Sequence, residues 1–485
     1  MELSTLARLP SGSMRRLLPL LLLLLCPAAA SAAPAGSLTQ LAGPSGCLLG
    51  PAQAKLVKPA HCTPARGMGA TQHVTLSPDG RFAYAASNDT WGLVAFRRDT
   101  ATGKLTQLPG KAACFADADR GNASCAKGRG LVWAFSIVVA PDGRNVYVTG
   151  GIGNAIAVFR RDPASGKLTQ PAGQDGCLRN RAGGTTQGGP SAAASGCRLV
   201  DGLVYPRGIT VSPDGRFVYA ITSDGHTITG FARAAGTGTL TPYAGNCVAD
   251  SKKAGCSLAT QLHGGTDLTM TKDGRFVYAA AFKGNAITAF TRDTTSGVLT
   301  QIAGRSGCVA QKATAACAGG RALKGVYNLV LSADERQVYG VSRFSRGIAV
   351  LTRDASTGAL RQAAGPAGCV QEGAGQGCGP AAGLKGARGV GVSPDGRSVY
   401  AGAFSASAIT SFARNASTGA LRQLKGKTGC ASYSRTGKGK AQTPGCGAAR
   451  GIKQAWSIAV SRDSRFVYTG VGGDGNSGLA VFRRG

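Results

Sequence analysis

The amino-acid sequence predicts an all-β fold, a closed seven-bladed β-propeller with four antiparallel strands per blade. A phrase of the type Ser-Pro-Asp-Gly-Arg, followed by a tyrosine three residues after the arginine, recurs seven times in 485 residues. The six intervals from Asp79 in the first copy to Asp463 in the last span 384 residues and average 64. Two cysteines accompany each copy. Short strands and turns repeated at such a period are typical of propeller blades.

Each repeat contains four strand-like segments in a fixed order. The first is apolar, as in Ile209–Val211, which suits a strand covered on both faces by neighbouring blades. Pro-Asp-Gly then makes a tight turn, because proline presets φ and glycine relieves crowding. The second, third and fourth segments resemble Arg216–Ala220, Ala286–Phe290 and Val298–Ile302.

The two ends of the chain together predict ring closure. The last repeat stops after its third segment, Leu479–Phe482. The fourth segment that it lacks is found near the start, where Gly36–Gly43 matches Gly297–Gly304 almost residue for residue. We therefore expect the N-terminal strand to complete blade seven, which would leave no open edge in the ring.

The first 33 residues have the pattern of a secretory signal peptide. Arg15 and Arg16 precede the apolar run Leu17–Leu25, and Ala30-Ser31-Ala32 is a small-residue cleavage site. This run is too short to span a bilayer, and no other segment resembles a transmembrane helix. The sequence thus predicts a signal peptide at 1–33 and a single exported propeller domain at 34–485.

The charge balance is strongly basic. There are 55 lysines and arginines against 23 acidic residues, a formal charge of +32. Such an excess favours an anionic partner, here a small molecule or a glycan. The basic residues are scattered through every blade rather than gathered in a stripe with aromatic residues, so no specific nucleic acid is expected. We expect a monomer.

Fourteen cysteines remain outside the predicted signal peptide, two in each repeat. The even count and the predicted export indicate disulfides within blades. Pairing across adjacent blades stays open, whereas a separation of nine residues or more without partnering histidines does not favour zinc. The expected pairs are Cys47/Cys62, Cys114/Cys125, Cys177/Cys197, Cys247/Cys256, Cys308/Cys317, Cys369/Cys378 and Cys430/Cys446.

The repeated Ser-Pro-Asp-Gly-Arg-x-Val-Tyr, with a later Arg-Asp-x-x-Thr/Ser-Gly-x-Leu, resembles the seven-bladed β-propeller lactonases, which include 6-phosphogluconolactonases. It is also similar to the wider propellers with tyrosine-valine-threonine-asparagine repeats. The resemblance covers residues 34–485 and implies the fold. It implies the chemistry much less, because the same blade serves enzymes and binding proteins. No contiguous catalytic motif of the family can be placed on this sequence.

Residues that repeat in all seven blades are expected to be structural, so function should lie where equivalent positions differ. Two such columns stand at the entry to the first strand of each blade, which faces the mouth of the central channel. The first channel column is Gln72, Phe135, Arg207, Thr266, Tyr327, Arg388 and Trp456. The second channel column is His73, Ser136, Gly208, Asp267, Asn328, Gly389 and Ser457.

Candidate roles follow from side-chain chemistry. Lactone hydrolysis needs a general base and a cation for the developing oxyanion, so His73 or Asp267 could serve as base and Arg207 or Arg388 as the stabilising cation. Further candidates for ligand binding on the same face are His226, His263, Lys324, Lys385, Lys453, Tyr327 and Trp456. No cofactor is predicted. Four histidines and sparse acids do not favour a tight metal site, although they leave a divalent metal open.

Three functions compete. The leading hypothesis is an exported propeller that binds an anionic or carbohydrate-like ligand at the basic channel mouth. The second is an enzyme that hydrolyses an extracellular lactone. The third is a structural or protein-interaction ring, in which the lysines and arginines are solvated rim charges.

Overall fold

The innermost three strands of each blade form a regular antiparallel meander. The computed structural model describes residues 33–50, 62–119, 121–181, 196–373, 375, 377–472 and 477–485. The predicted signal peptide lies outside the described residues, apart from Ala33, and residues 34–485 form one compact unit. The innermost strands are Thr71–Leu76, Ala134–Val139, Pro206–Val211, Gly265–Met270, Val326–Leu331, Ala387–Val392 and Ala455–Val460. The second strands are Phe82–Ser87, Asn145–Gly150, Phe217–Thr222, Phe276–Ala281, Gln337–Ser342, Ser398–Ala403 and Phe466–Val471. The third strands are Gly92–Arg98, Ala155–Arg161, Thr227–Arg233, Ala286–Arg292, Gly347–Arg353, Ala408–Arg414 and Gly478–Arg484.

The outer part of each blade is more divided than the sequence predicts. Two short strands share the outer edge of the third strand, and a short parallel strand lies beyond them, so each sheet has six strands instead of four. The fourth strands are Leu105–Gln107, Leu168–Thr169, Leu240–Thr241, Leu299–Gln301, Leu360–Gln362, Leu421–Gln423 and Leu38–Gln40. The fifth are Cys114–Asp117, Cys177–Asn180, Cys247–Ala249, Cys308–Ala310, Cys369–Glu372, Cys430–Tyr433 and Cys47–Leu49. The sixth are Ala126–Gly128, Arg198–Val200, Cys256–Leu258, Ala318–Gly319, Gly379–Ala381, Gly447–Ala449 and Thr63–Pro64.

Short 3₁₀ segments explain why two strands, the fourth and the fifth, share the outer edge of the third strand. After the fourth strand the chain turns through a 3₁₀ segment and returns to pair with the other half of the third strand, as at Arg305–Gly307 in blade four. The 3₁₀ segments are Gly43–Gly46, Lys111–Ala113, Gly173–Gly176, Arg305–Gly307, Gly365–Gly368 and Gly426–Thr428. The all-β, seven-bladed propeller that the sequence predicts is confirmed.

All seven predicted disulfides are present within blades. Each joins the start of a fifth strand to the region of the parallel sixth strand, as Cys308 joins Cys317 beside Ala318–Gly319. The loop between the two strands is therefore fixed at both ends. Seven disulfides indicate an oxidising, extracytoplasmic environment. In the described part of the chain, no helix has the length and apolar character needed to cross a membrane.

A repeated polar bridge joins neighbouring blades. Tyr84 is fully buried and its hydroxyl donates to the Gly166 carbonyl at 2.8 Å. Arg161 of the next blade donates from Nε to the Tyr84 hydroxyl at 2.7 Å and pairs with the turn aspartate Asp79 at 3.3 Å. The arginine that binds Tyr84 and Asp79 is thus the one at the end of a third strand, Arg161. The arginine of the turn itself, Arg81, is exposed. These contacts rigidify the ring that positions the channel mouth.

Candidate functional site

A small cavity of about 50 Å³ lies at the mouth of the channel where the innermost strands begin. All seven residues of the first channel column line it. The second channel column contributes every member except its two glycines, namely His73, Ser136, Asp267, Asn328 and Ser457. The structure therefore brings together the residues of the two channel columns that the sequence repeats define.

A β-bulge in each innermost strand explains why neighbouring residues face the same cavity. In blade one, Thr71 lies opposite Ser87 and His73 opposite Ala86, which leaves Gln72 as an extra residue. The same shift occurs in the other six innermost strands. Consecutive side chains of a regular strand point to opposite faces, and the bulge removes that alternation. Both channel columns can therefore contribute side chains to one cavity.

Arg388 is held in a cage of aromatic rings. Its guanidinium carbon lies 3.7 Å from the ring centre of Trp456, 4.0 Å from that of Phe404 and 5.3 Å from that of Tyr327. The residue is only 7% exposed. Burial lowers the pKa of Arg388 to about 10, so the side chain is still charged at neutral pH. Aromatic faces stabilise a buried cation without neutralising it.

Arg207 has a similar cage, which shares the ring of Tyr327 with the cage of Arg388. Its guanidinium carbon lies 4.6 Å from the ring centre of Phe135 and 5.5 Å from those of Tyr205 and Tyr327. Its Nη1 donates to the Tyr327 hydroxyl at 3.1 Å. Burial acts to lower the pKa of Arg207, but the two tyrosines outweigh burial and the net pKa is raised. The ring centre of Tyr327 therefore lies within 5.5 Å of two positively charged groups.

Neither cage contains an acidic side chain from the part of the chain that the structure describes. Among the described residues, no carboxylate forms an ion pair with Arg207 or Arg388. The Nε atoms of both arginines and Nε2 of Gln72 are buried without a hydrogen-bond acceptor from those residues. Burying a donor without an acceptor is unfavourable, so these groups are suited to a ligand that brings oxygen acceptors.

A glycine follows each of the two arginines for a steric reason. A Cβ on Gly208 would lie 2.7 Å from the Cα of Asp267, and one on Gly389 would lie 2.5 Å from the carbonyl oxygen of Trp456. The backbone of the next blade approaches too closely for any side chain. The Arg-Gly pair therefore combines a cation that points into the cavity with close packing of adjacent blades.

Asp267 is the acidic residue of the cavity. Asn328 donates from Nδ2 to its Oδ2 at 2.6 Å, and the backbone N–H of Leu329 donates to the same oxygen at 3.2 Å. Burial raises the pKa of Asp267 to about 7, although the backbone N–H groups of Leu329 and Leu268 act in the opposite direction. This carboxyl changes its protonation near neutral pH, as a general base does.

His73 lies in the same cavity but is bound to the neighbouring strand. Its Nδ1 is 3.1 Å from the Ile137 carbonyl oxygen and 3.3 Å from the Ile137 backbone nitrogen. Burial lowers the pKa of His73, which keeps the ring neutral. These contacts give it a structural link between blades one and two in addition to its place in the cavity.

The other residues that the sequence suggests for ligand binding do not line this cavity. Lys324 and Lys385 are exposed, and their carbonyls accept hydrogen bonds from the loop after the second strand of their own blades. Lys453 is half-buried. His226 and His263 lie together, with ring centres 4.0 Å apart. Sequence reasoning missed Tyr205 and Phe404, which complete the two cages but lie outside the two columns.

Comparison with known proteins supports the family resemblance. Residues 49–175 match the family described as lactonase, 7-bladed beta-propeller. The resemblance to the propeller lactonases is confirmed. The matched range runs from the outer edge of blade seven through blade one into blade two. No curated protein matches this chain.

Solved structures agree in fold. A candidate 6-phosphogluconolactonase from Bacteroides uniformis is 21% identical with a TM-score of 0.50, and the match covers 73% of this chain and 83% of that one. Hydrazine synthase from Kuenenia stuttgartiensis is 14% identical with a TM-score of 0.50, covering 86% and 96%. Proteins with such different names share this architecture, so the fold alone does not decide the chemistry.

Proposed function

We propose that this protein is exported and binds an anionic organic molecule at the channel mouth, with a carboxylate or a similar oxyanion between Arg207 and Arg388. The observation that carries the proposal is that two arginines, the buried Arg388 and the half-buried Arg207, stand in aromatic cages without a carboxylate partner in the described chain. Arginine matches the planar geometry of carboxylates and phosphates. The formal charge of +32 adds long-range attraction for an anion.

The aromatic rings around the cavity indicate which chemical group the ligand carries next to its negative charge. Tyr327, Trp456 and Phe404 present flat apolar surfaces beside Arg388. Such surfaces favour a ligand with a ring or an extended carbon skeleton next to its anionic group. A sugar acid satisfies both requirements.

The direct test compares D-gluconate with sorbitol, which lacks the carboxylate but keeps the polyol chain. Calorimetric titration of the oxidised protein should detect gluconate binding and no sorbitol binding. The fluorescence of Trp456, isolated by comparison with Trp456→Phe, should change on gluconate addition because the ring contacts Arg388. Equal affinity for the two compounds would contradict an anion site.

A second candidate function is hydrolysis of a lactone in the same cavity. It is favoured by Asp267, whose pKa of about 7 suits activation of water, and by Arg207 and Arg388, which line the same cavity and supply positive charge for the developing oxyanion. Turnover of D-glucono-1,5-lactone above the buffer rate should rise with pH through about 7 and disappear in Asp267→Asn. Gluconate binding without any turnover would leave only the binding function.

A further inference from the structure

Two histidines and an aspartate converge outside the channel cavity, at the junction of blades three and four. His226 belongs to the loop between Phe217–Thr222 and Thr227–Arg233. Asp250 directly follows the fifth strand of blade three, where the disulfide between Cys247 and Cys256 fixes the loop. His263 lies two residues before the innermost strand of blade four. Three separate segments therefore bring these side chains together.

The geometry of this cluster fits a metal ion. One ligand atom from each of His226, Asp250 and His263 lies within 4.8 Å of the other two. His263 Nδ1 is 3.8 Å from Asp250 Oδ2. Ligand atoms around tetrahedral zinc are about 3.3 Å apart, so closing the site requires small side-chain rotations. The side chain of His263 is 53% exposed and is free enough to make them.

We propose that His226, Asp250 and His263 form a binding site for a divalent transition metal, with zinc as the representative ion. Two imidazoles and one carboxylate are a recurrent ligand set for zinc, and a fourth position stays open to water or to another ligand. All fourteen cysteines from Cys47 to Cys446 are in disulfides, so no thiolate among them competes for the ion.

The local charge selects the class of metal. Lys253 and Lys283 are close enough to act on His226 through their positive charge. Hard cations such as Mg²⁺ and Ca²⁺ need several oxygen ligands and negative charge, which one carboxylate beside two lysines does not supply. Zn²⁺ is bound strongly by imidazole nitrogen, so it tolerates this environment better.

His226 must give up one contact to bind the ion. Its Nδ1 accepts a hydrogen bond from the backbone N–H of Gly264 at 3.0 Å, which places the ring proton on Nε2 in the neutral form. Coordination through either nitrogen requires this hydrogen bond to be lost. We therefore expect weaker zinc affinity than in sites whose histidines are already oriented by an acceptor.

Calorimetric titration with ZnCl₂ of the oxidised protein tests the site. One zinc should bind per chain, and His263→Ala and Asp250→Asn should each weaken zinc affinity at least tenfold. These variants are preferred to His226→Ala, which would also remove the acceptor for the Gly264 N–H and could disturb folding. Asp201→Asn, the same substitution at an exposed aspartate outside the cluster, is the matched control and should leave zinc affinity unchanged.

The result that would overturn the site is zinc binding that is absent in the wild type, or equal in wild type, His263→Ala and Asp250→Asn. Mg²⁺ binding as tight as that of Zn²⁺ would overturn the assignment to a transition metal. Gluconate affinity measured on the same variants should not change, because the cluster lies outside the lining of the channel cavity. The metal site and the anion site can therefore fail independently.

Discussion

At the scale of single residues, burial and hydrogen bonding act in opposite directions on the pKa of Asp267. Its ordinary pKa is 3.8, and burial raises the pKa to about 7 in the folded protein. At pH values between 3.8 and about 7, Asp267 keeps its proton in the folded protein and has released it in the unfolded chain. The free energy of unfolding therefore falls as pH rises through this window, and the contribution is lost above about pH 7. At about 1.4 kcal/mol per pKa unit, it amounts to at most about 4 kcal/mol.

Asp267→Asn should remove this pH dependence. The amide oxygen can still accept from Asn328 and Leu329, but it carries no charge to bury. We expect the variant to gain stability relative to wild type as the pH is raised from 4 to 8. Urea denaturation of both proteins across that range measures the difference. A difference that stays constant with pH would contradict the raised pKa.

The two arginines show what residue-level reasoning could and could not predict. Arg207 and Arg388 were candidates in the sequence because they stand in a column whose residues differ between blades, and because arginine suits a carboxylate or phosphate ligand. Their cages could not be predicted, because Tyr205 and Phe404 come from outside the columns and contact the arginines only through the fold. Periodicity identifies equivalent positions but not the contacts between positions that are not equivalent.

At the scale of elements, the first four strands of each blade and their turns were predictable, and the two further strands at the outer edge were not. The repeated turn and the apolar runs have strong local signals. The fifth and sixth strands are only two to four residues long, as at Cys308–Ala310 and Ala318–Gly319. Such segments have little hydrophobic pattern, and they form by pairing with the third strand and with each other. The β-bulges could not be predicted either, because one extra residue in a strand does not change its composition recognisably.

Each disulfide should stabilise its blade mainly by restricting the unfolded chain. The loop closed by Cys308 and Cys317 spans 9 residues. The chain-entropy relation then gives about 2.6 kcal/mol, against about 3.3 kcal/mol for the 20-residue loop of Cys177 and Cys197.

The double variant Cys308→Ala/Cys317→Ala should lower the free energy of unfolding by about 2.5 kcal/mol without opening the ring. Both sulfurs are buried, and alanine avoids placing an unpaired polar group there. The midpoint of urea denaturation measures the loss, with Cys177→Ala/Cys197→Ala as the comparison. If the pair with the shorter loop cost several kcal/mol more than the longer one, packing rather than chain entropy would be the main cause.

At the scale of the whole molecule, the ends of the chain meet in blade seven. Leu38–Gln40 pairs antiparallel with the last strand, and Cys47–Leu49 pairs with its other half. The bridge between blades seven and one has the same form as the others, because Arg98 donates to the Tyr468 hydroxyl at 2.7 Å and pairs with Asp463 at 3.2 Å. Blade seven is therefore held together by contacts between distant parts of the chain.

A proline at Thr39 should test the importance of this junction. Thr39 lies opposite Arg483 in blade seven, and Thr106 lies opposite Arg97 at the equivalent place in blade one. Proline interrupts the pairing of either strand. Thr39→Pro should lower the urea midpoint more than Thr106→Pro, because only the former detaches one end of the chain from the ring. Equal effects would mean that the N-terminal strand is no more important than any other fourth strand.

The charge of the whole chain and the charge of the channel mouth have different consequences. A formal charge of +32 attracts anions to the entire surface, and this attraction is screened by salt. Arg388 is buried and Arg207 is half-buried, so salt should screen their contribution less than it screens that of the surface charges. Replacing a surface arginine and replacing a caged arginine change the net charge by the same amount. Only the replacement of a caged arginine should weaken ligand binding strongly.

The measurement that tests the central claim most directly is calorimetric titration with D-gluconate, at 150 mM salt, of wild type, Arg388→Met, Arg207→Met and the control Arg305→Met. Arg305 is exposed in an outer 3₁₀ segment, so its replacement removes the same charge away from the cavity. We expect each cage variant to lose at least tenfold in affinity, because a charged hydrogen bond contributes about 1.5–3 kcal/mol, while the control binds like wild type. Equal losses in all three variants would contradict a specific anion site at the channel mouth.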